Sequence, residues 1–283
     1  MNAICLIAAV VVGTWNGNWF PSGRAEHRAH PDVEAATISA SARMLADGLR
    51  GIDPEGTNDV ILCLNEIRGP SAASNLVAQI GRSGLRVVSI SGYRRRDRFD
   101  QQQDVIATTL PVAETHWSTW KVEKGYRIPR GYAFAAVVID PATTANVYAV
   151  HLKSNYGANT AEKRAQNEEV RQRAIAQVIA AERKRRGRQV RPVILAGDMN
   201  ADKWGKGFAS ERLFGMLEEA GFANPLALLP PKRRGTHPSP TYGDSALDYV
   251  FCRGFGKVDS PLIVPNDGLS DHLALFVLIH GSK

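Results

Sequence analysis

The sequence is poor in cysteine, has no long apolar run and carries no excess of acid. Three cysteines, Cys5, Cys63 and Cys252, occur in 283 residues. They cannot all pair, and they lack metal-ligand spacing. A disulfide scaffold and a thiolate metal centre are therefore excluded, and buried free thiols are expected. No stretch approaches the roughly 20 apolar residues that span a bilayer, so stable membrane insertion is not expected. Internal repeats, low-complexity tracts and linkers are also missing, so residues 1–283 read as a single domain. Acid is outweighed by base, with a formal net charge of +7. That balance favours polyanionic partners, nucleic acid or anionic lipid headgroups.

What is present suits a folded enzyme. Hydrophobic residues make up 44% of the chain, enough for a sizeable core. Ile4 to Val12 is apolar and could pass for the core of an export signal, but no basic segment precedes it. It reads instead as a first buried strand ending in polar residues. A soluble chain is expected, cytoplasmic, or exported if a signal has been removed. Helical spacing runs over 31–49, 71–80, 160–184 and 210–220. Strand-like runs cover 59–65, 85–90, 105–110, 115–120, 132–139, 146–151, 193–196, 246–252, 258–264 and 273–279. Residues 93–104 read as a charged loop, and 225–240 as a Pro- and basic-rich one. Two halves, each of strands and helices, predict two sheets packed face to face with helices outside.

The organising stretch is Val193-Ile194-Leu195-Ala196-Gly197-Asp198-Met199-Asn200. A buried strand ends at a glycine and is followed at once by a carboxylate and an amide. Asp198 and Asn200 are two apart, so an extended backbone turns both to one face. Open sheets present chemistry at this kind of edge. Other strand ends carry Asn16 and Asn18, Glu66, His151, Asp248, and Asp271-His272. Any one of these is commonplace; the set is not.

In order, these clusters are Trp15-Asn16, a strand ending in Glu66, His151-Leu152-Lys153-Ser154, Gly197-Asp198-Met199-Asn200, Leu247-Asp248-Tyr249 and Ser270-Asp271-His272. The chain thereby resembles the endonuclease/exonuclease/phosphatase superfamily, also called deoxyribonuclease I-like, over nearly its whole length. Two positions depart from the usual pattern: Asn65 stands where Gln is common, and Met199 where Phe is common. Neither is expected to contact metal or phosphate.

The resemblance implies a four-layer α/β sandwich, two packed mixed β-sheets flanked by helices. It also implies divalent-cation-dependent hydrolysis of a phosphoester. The cation is expected to be Mg²⁺, with Mn²⁺ as a substitute and Ca²⁺ as a structural ion. Carried over by position, Glu66 is the principal metal ligand, with Asn16 and Asp271 nearby. His272 is a general base whose tautomer Asp248 fixes. Asp198 and Asn200 orient water or stabilise phosphoryl oxygens. His151 binds phosphate or protonates the leaving oxygen. Asn18, Arg68, Tyr93 and Arg95 are substrate-binding candidates, Arg68 as a groove contact and Tyr93 as a stacking aromatic beside arginines. Arg68 reads equally as a solvated surface arginine. His27, His30, His116, His237 and His280 match no motif and read as structural.

The expected activity is a nuclease, acting on DNA as a monomer; protein partners are unknown. The alternatives are a phosphoesterase on a lipid headgroup, sphingomyelin or a phosphoinositide, and a binding protein that has kept the fold without turnover. No motif residue is missing, which counts against the last. No exposed aromatic hairpin is evident, and Ala246-Leu247-Asp248-Tyr249 replaces the inositol-phosphatase Trp-Cys-Asp-Arg.

Overall fold

A computed structural model describes residues 9–23, 29–95, 98–99, 101–122, 125–126, 128–186, 191–241 and 243–281. The side chains of Arg95, Arg98, Phe99 and Arg186 lie outside that description. In chain order the elements are β1 (Ala9–Phe20), α1 (Pro31–Ile52), β2 (Asp59–Ile67), α2 (Pro70–Gln79), β3 (Arg86–Ile90), β4 (Arg94–Arg95), β5 (Arg98–Phe99), β6 (Gln103–Thr108), β7 (Val112–Thr119), β8 (Gly131–Asp140), β9 (Thr143–His151), α3 (Ala161–Arg186), β10 (Val193–Asp198), α4 (Leu213–Glu219), β11 (Asp248–Arg253), β12 (Leu262–Val264) and β13 (Ala274–His280).

The strands form two mixed sheets, in the orders β12-β13-β1-β2-β6-β3 and β11-β10-β9-β8-β7. Alternation along β1 and β2 explains the layering. Val10, Val12, Ile61 and Cys63 face the second sheet, whereas Val11, Trp15, Val60, Leu62 and Leu64 pack beneath α1 and α2. Both faces are apolar because both are covered. On the other sheet α3 contributes Val170, Ala174, Ile175 and Val178, and α4 contributes Leu213 and Leu217. The result is helix, sheet, sheet, helix, as expected. Close approach of α1 is permitted at Gly48, where a Cβ would stand 2.2 Å from the Phe276 ring. None of the described helices is long and apolar enough to cross a membrane.

Three elements differ from their sequence reading. The described part of β1 runs on through Asn16 to Phe20, because its pairing with β2 continues past the apolar run. The expected series of four neighbouring strands is divided: β6 joins the first sheet, while β7 to β9 join the second. Within 93–104 the short β4–β5 hairpin forms, and β6 starts at Gln103. Cys63 and Cys252 are buried free thiols; Cys5 and His27 lie outside the described residues.

Pairing brings the motif ends to one edge. β1 and β2 run parallel, with Asn16 opposite Asn65. β9 and β10 run parallel, with Asp198 opposite His151. β11 is antiparallel to β10 and starts at the same edge, so Asp198 also faces Asp248. β13 is antiparallel to β1 and begins just after His272.

Candidate active site

At the end of β2 the pairing with β6 shifts register between Leu64 and Ile67. Glu66 sits in this irregularity at φ +58°. A left-handed non-glycine residue is uncommon, and a bulge is a usual device for re-aiming a side chain. Here it points the Glu66 carboxylate at the gap between the sheets. The Trp19 N–H donates to its Oε2 at 3.2 Å.

Two carboxylate oxygens, Glu66 Oε1 and Asp198 Oδ2, form the centre. Asn16 Nδ2 donates to both, at 3.3 and 2.9 Å. His151 Nε2 lies 3.7 Å from the first and 3.5 Å from the second. Asn200 Nδ2 donates to Asp198 Oδ2 at 2.9 Å, and the Asn200 N–H donates to Oδ1 at 2.7 Å. Asp198 is thereby held on both oxygens, and burial still pushes its carboxyl up to about 7, against the nearby His272 cation. His151 is buried, and its Nδ1 has no partner among the described residues. Burial, then the Arg130 charge, holds it well below the usual imidazole range, so it is neutral.

His272 follows the same edge. Its Nδ1 lies 2.8 Å from Asp248 Oδ2, and its Nε2 lies 3.9 Å from Asp198 Oδ2. Thr236 Oγ1 donates to the same Asp248 oxygen at 2.8 Å. Trp15 Nε1 donates to the His272 carbonyl at 3.1 Å, fixing the loop from below. Burial opposes a charge on His272, but the carboxylates of Asp248 and Asp198 outweigh it and push the imidazole up to about 10. The ring carries its proton at neutral pH. Proton exchange therefore belongs to the His272–Asp198 pair rather than to a free imidazole.

Several expected contacts are placed elsewhere. Asn16 turns its amide NH₂ to the carboxylates, while its oxygen accepts from the Asn18 N–H at 2.9 Å. Asp271 is half exposed, with Oδ2 3.7 Å from His237 Nε2 and Oδ1 3.9 Å from His272 Nε2. Of the trio Asn16, Glu66 and Asp271, Glu66 accepts from the Asn16 amide, and Asp271 Oδ1 approaches His272 Nε2, the atom that also faces Asp198. Asn18 is exposed at the rim. Arg68 is neither a groove contact nor solvated: Nη1 pairs with Glu34 at 2.6 Å and Nη2 donates to Ser22 at 2.7 Å. Tyr93 is no stacking platform, being 2% exposed with its hydroxyl on Asp104 Oδ2 at 2.8 Å. The Arg95 side chain lies outside the described residues.

Three contributors escaped the sequence reading. Arg130 Nε donates to the His151 carbonyl at 3.0 Å and ties the end of β9 to β8. His237 packs edge-to-face on His272, ring centroids 4.8 Å apart. Asn65 accepts from the Asp198 N–H at 3.0 Å and donates to Asp104 at 2.7 Å. A buried chain Tyr93–Asp104–Asn65 thus anchors the backbone of Asp198. The departure from Gln at 65 was visible in sequence, but its connection across the sheets was not.

Burial pushes the Asp104 carboxyl up to about 7, against the hydrogen bonds from Asn65 and Tyr93 that favour its charge. Between roughly pH 4 and that value the folded chain holds a proton that the unfolded chain has lost. The group's stabilising contribution is full below about pH 4 and disappears as pH rises through its folded value. Asp104→Asn removes this titration. The variant's unfolding free energy should fall less between pH 5 and 8 than that of the wild type, by about 2 kcal/mol in denaturant titrations. Parallel profiles would show that Asp104 does not titrate in that window.

The donor set at the centre suits a divalent cation. Carboxylate oxygens of Glu66 and Asp198 both border Asn16 Nδ2 and His151 Nε2, and hard oxygens of this kind suit Mg²⁺. Among the described residues, two triplets place one ligand atom each within 4.8 Å of one another, neither including Glu66: Asp198, Asp248 and His272, and His237, Asp271 and His272.

The sequence matches the family model described as Endonuclease/Exonuclease/phosphatase family over residues 13–272. No curated protein matches it. Solved structures similar to it include an endonuclease/exonuclease/phosphatase from Beutenbergia cavernae, with TM-score 0.65 and 18% identity over 97% of this chain and 72% of that one. A sphingomyelinase C from Streptomyces griseocarneus gives TM-score 0.61 and 17% identity, over 97% and 99% of the two chains. Truncated TDP2 from Caenorhabditis elegans gives 0.57 and 14%, over 96% and 98%. At these identities the structural likeness speaks to the fold alone. With the family model spanning every motif from β1 to His272, the chain belongs to the endonuclease/exonuclease/phosphatase family, whose members are hydrolases of phosphodiester bonds.

Proposed function

We propose that this chain is a Mg²⁺-dependent phosphodiesterase that cleaves DNA. The observation that carries this reading is the pair of carboxylate oxygens, Glu66 Oε1 and Asp198 Oδ2, bracketed by Asn16 and His151 beside the Asp248-backed His272. Glu66, with Asp198 adjacent, would hold the cation, which supplies neutralising charge to the phosphate. Within the His272–Asp198 pair, the Asp198 carboxylate would receive the proton of an attacking water, and the His272 imidazolium already beside it faces the developing charge. Asp248 keeps the ring oriented through Nδ1. Asn16 and Asn200 donate from fixed positions, so little reorganisation accompanies the reaction. His151, neutral, would donate to a phosphoryl oxygen through Nε2–H, the nitrogen beside Glu66 and Asp198.

DNA rather than a small ester is supported by the net charge of +7, since neutralising backbone phosphates releases counterions. Exposed Arg94, in β4, and half-buried Lys153, after β9, add cations. Arg68 and Tyr93 no longer contribute, being engaged inside the protein.

The test is nicking of supercoiled plasmid. We expect cleavage with Mg²⁺, arrest by excess EDTA and recovery when Mg²⁺ is restored. Absence of nicking with both Mg²⁺ and Mn²⁺ would remove the nuclease reading. Release of phosphocholine from sphingomyelin vesicles in that case would move the substrate to a lipid headgroup.

A further inference from the structure

His237 belongs to no motif and lies outside the set that the hydrolytic reading uses. Its surroundings nevertheless have the chemistry of a second metal site. His237 Nε2 lies 3.7 Å from Asp271 Oδ2, and His272 Nε2 lies 3.9 Å from Asp271 Oδ1. These groups present two imidazole nitrogens and a carboxylate oxygen within 4.8 Å of one another. Ligand atoms about 2.0–2.2 Å from a tetrahedral zinc stand roughly 3.4 Å apart. The two approaches are to different oxygens of Asp271, so shared coordination asks the Asp271 and His237 side chains to turn inward. Asp271 and His237 have the freedom for this, with side chains 51% and 27% exposed.

An independent feature supports the same reading. Metal-bound histidines commonly give their other ring N–H to a carboxylate, which fixes the tautomer. Asp248 meets His272 Nδ1 in this way, and Thr236 holds Asp248 in turn. Thr236 immediately precedes His237, and both backbone N–H groups donate to the Ser245 carbonyl at 2.9 Å. One short segment thus secures the backing carboxylate and carries a ligand. The half-exposed Asp271 leaves the outer side open, so water can complete the coordination.

We infer that His237, Asp271 and His272 form a binding site for Zn²⁺ or a similar borderline divalent cation, and that its occupation shuts down the hydrolytic centre. Two nitrogens and one oxygen suit Zn²⁺, whereas Mg²⁺ favours oxygen alone. Zn²⁺ would take the place of the Nε2 proton of His272, which is released to solvent, and would occupy the nitrogen that faces Asp198 Oδ2 at 3.9 Å. The inhibitory consequence rests on the hydrolase reading; the binding does not.

The experiment titrates metal-free protein with Zn²⁺ by calorimetry, in the presence of excess Mg²⁺, for wild type and His237→Gln. One Zn²⁺ site is expected in the wild type, with affinity at least tenfold weaker in the variant. Co²⁺ in place of Zn²⁺ should give an intense visible band in the wild type that the variant loses. A second variant, His237→Phe, keeps a ring against His272 while removing the nitrogen, and serves if the glutamine variant melts early. Equal affinities, or no saturable binding by the wild type, would overturn the site. Where Mg²⁺ supports nicking, micromolar Zn²⁺ should suppress it in the wild type at least tenfold more effectively than in the variant. Zinc bound through His237 without suppression overturns the inhibitory role. If no nicking is seen at all, calorimetry and the Co²⁺ spectrum still decide the site.

Discussion

His272→Gln should lower Mg²⁺-supported nicking by about 10²- to 10⁴-fold, the range general acid–base groups supply. The reason is local. Nε2 is the outward nitrogen of a ring whose other nitrogen is fixed 2.8 Å from Asp248. The Asp248, Asp198 and Asp271 carboxylates surround that ring and give it its proton affinity. Glutamine keeps a polar group beside Asp248 but cannot shuttle a proton. His272→Ala should be equally inactive and also less stable by about 3 kcal/mol, because it strands a buried carboxylate. Asp248 would keep only the Thr236 hydroxyl on Oδ2, its Oδ1 being already unsatisfied among the described residues. The pair of variants therefore separates chemistry from folding: glutamine should be inactive with a melting temperature near wild type, and alanine inactive with a lower one. Wild-type nicking by a folded glutamine variant would place the reaction elsewhere.

Gly197→Ala should be the most damaging single methyl in the molecule's central strand. Gly197 has φ +138°, and an added Cβ would stand 2.0 Å from the Val150 carbonyl oxygen and 2.8 Å from Asn65 Oδ1. The first atom is backbone in a paired strand and has nowhere to go. The backbone conformation alone costs about 1–3 kcal/mol outside glycine. With the β9–β10 pairing disturbed as well, a loss of about 4 kcal/mol or more is expected in chemical denaturation. The displaced groups flank His151 and Asp198, so activity should fall with stability. Gly215→Ala is the control. It lies in α4, with nothing within 4 Å of its added Cβ. Helix propensity predicts a gain of about 0.5–1 kcal/mol there. A wild-type unfolding curve for Gly197→Ala would show that the strands tolerate more separation than their contacts suggest.

Much of this architecture was legible in the residues. Apolar runs ending in Asn16, Glu66, His151 and Asp198 declared both the strands and their functional edge, since strand length and polarity are local properties. Partnerships between distant segments were not legible. Arg68 looked available because the sequence does not show that Glu34, in another element, closes on it. Tyr93 looked like a surface aromatic because arginines follow it, yet Asp104 draws its hydroxyl inward. His237 carried no signal of its own. It gains its neighbour Asp271 only when β13 folds back along β1. The Asn65 departure was legible as a difference but silent about its purpose, because the group it holds belongs to the opposite sheet.

The register at the functional edge has a further consequence. His151, Asp198 and Asp248 occupy directly opposed positions on three adjacent strands. Their backbone spacing is therefore inherited from the lattice of inter-strand hydrogen bonds, about 4.8 Å per step, and owes nothing to the conformation of the surrounding loops. Grafting different segments after β9 or before β11 should retarget such a catalyst while leaving its reactive triad in tune, which makes this edge a natural chassis for exchanging substrates.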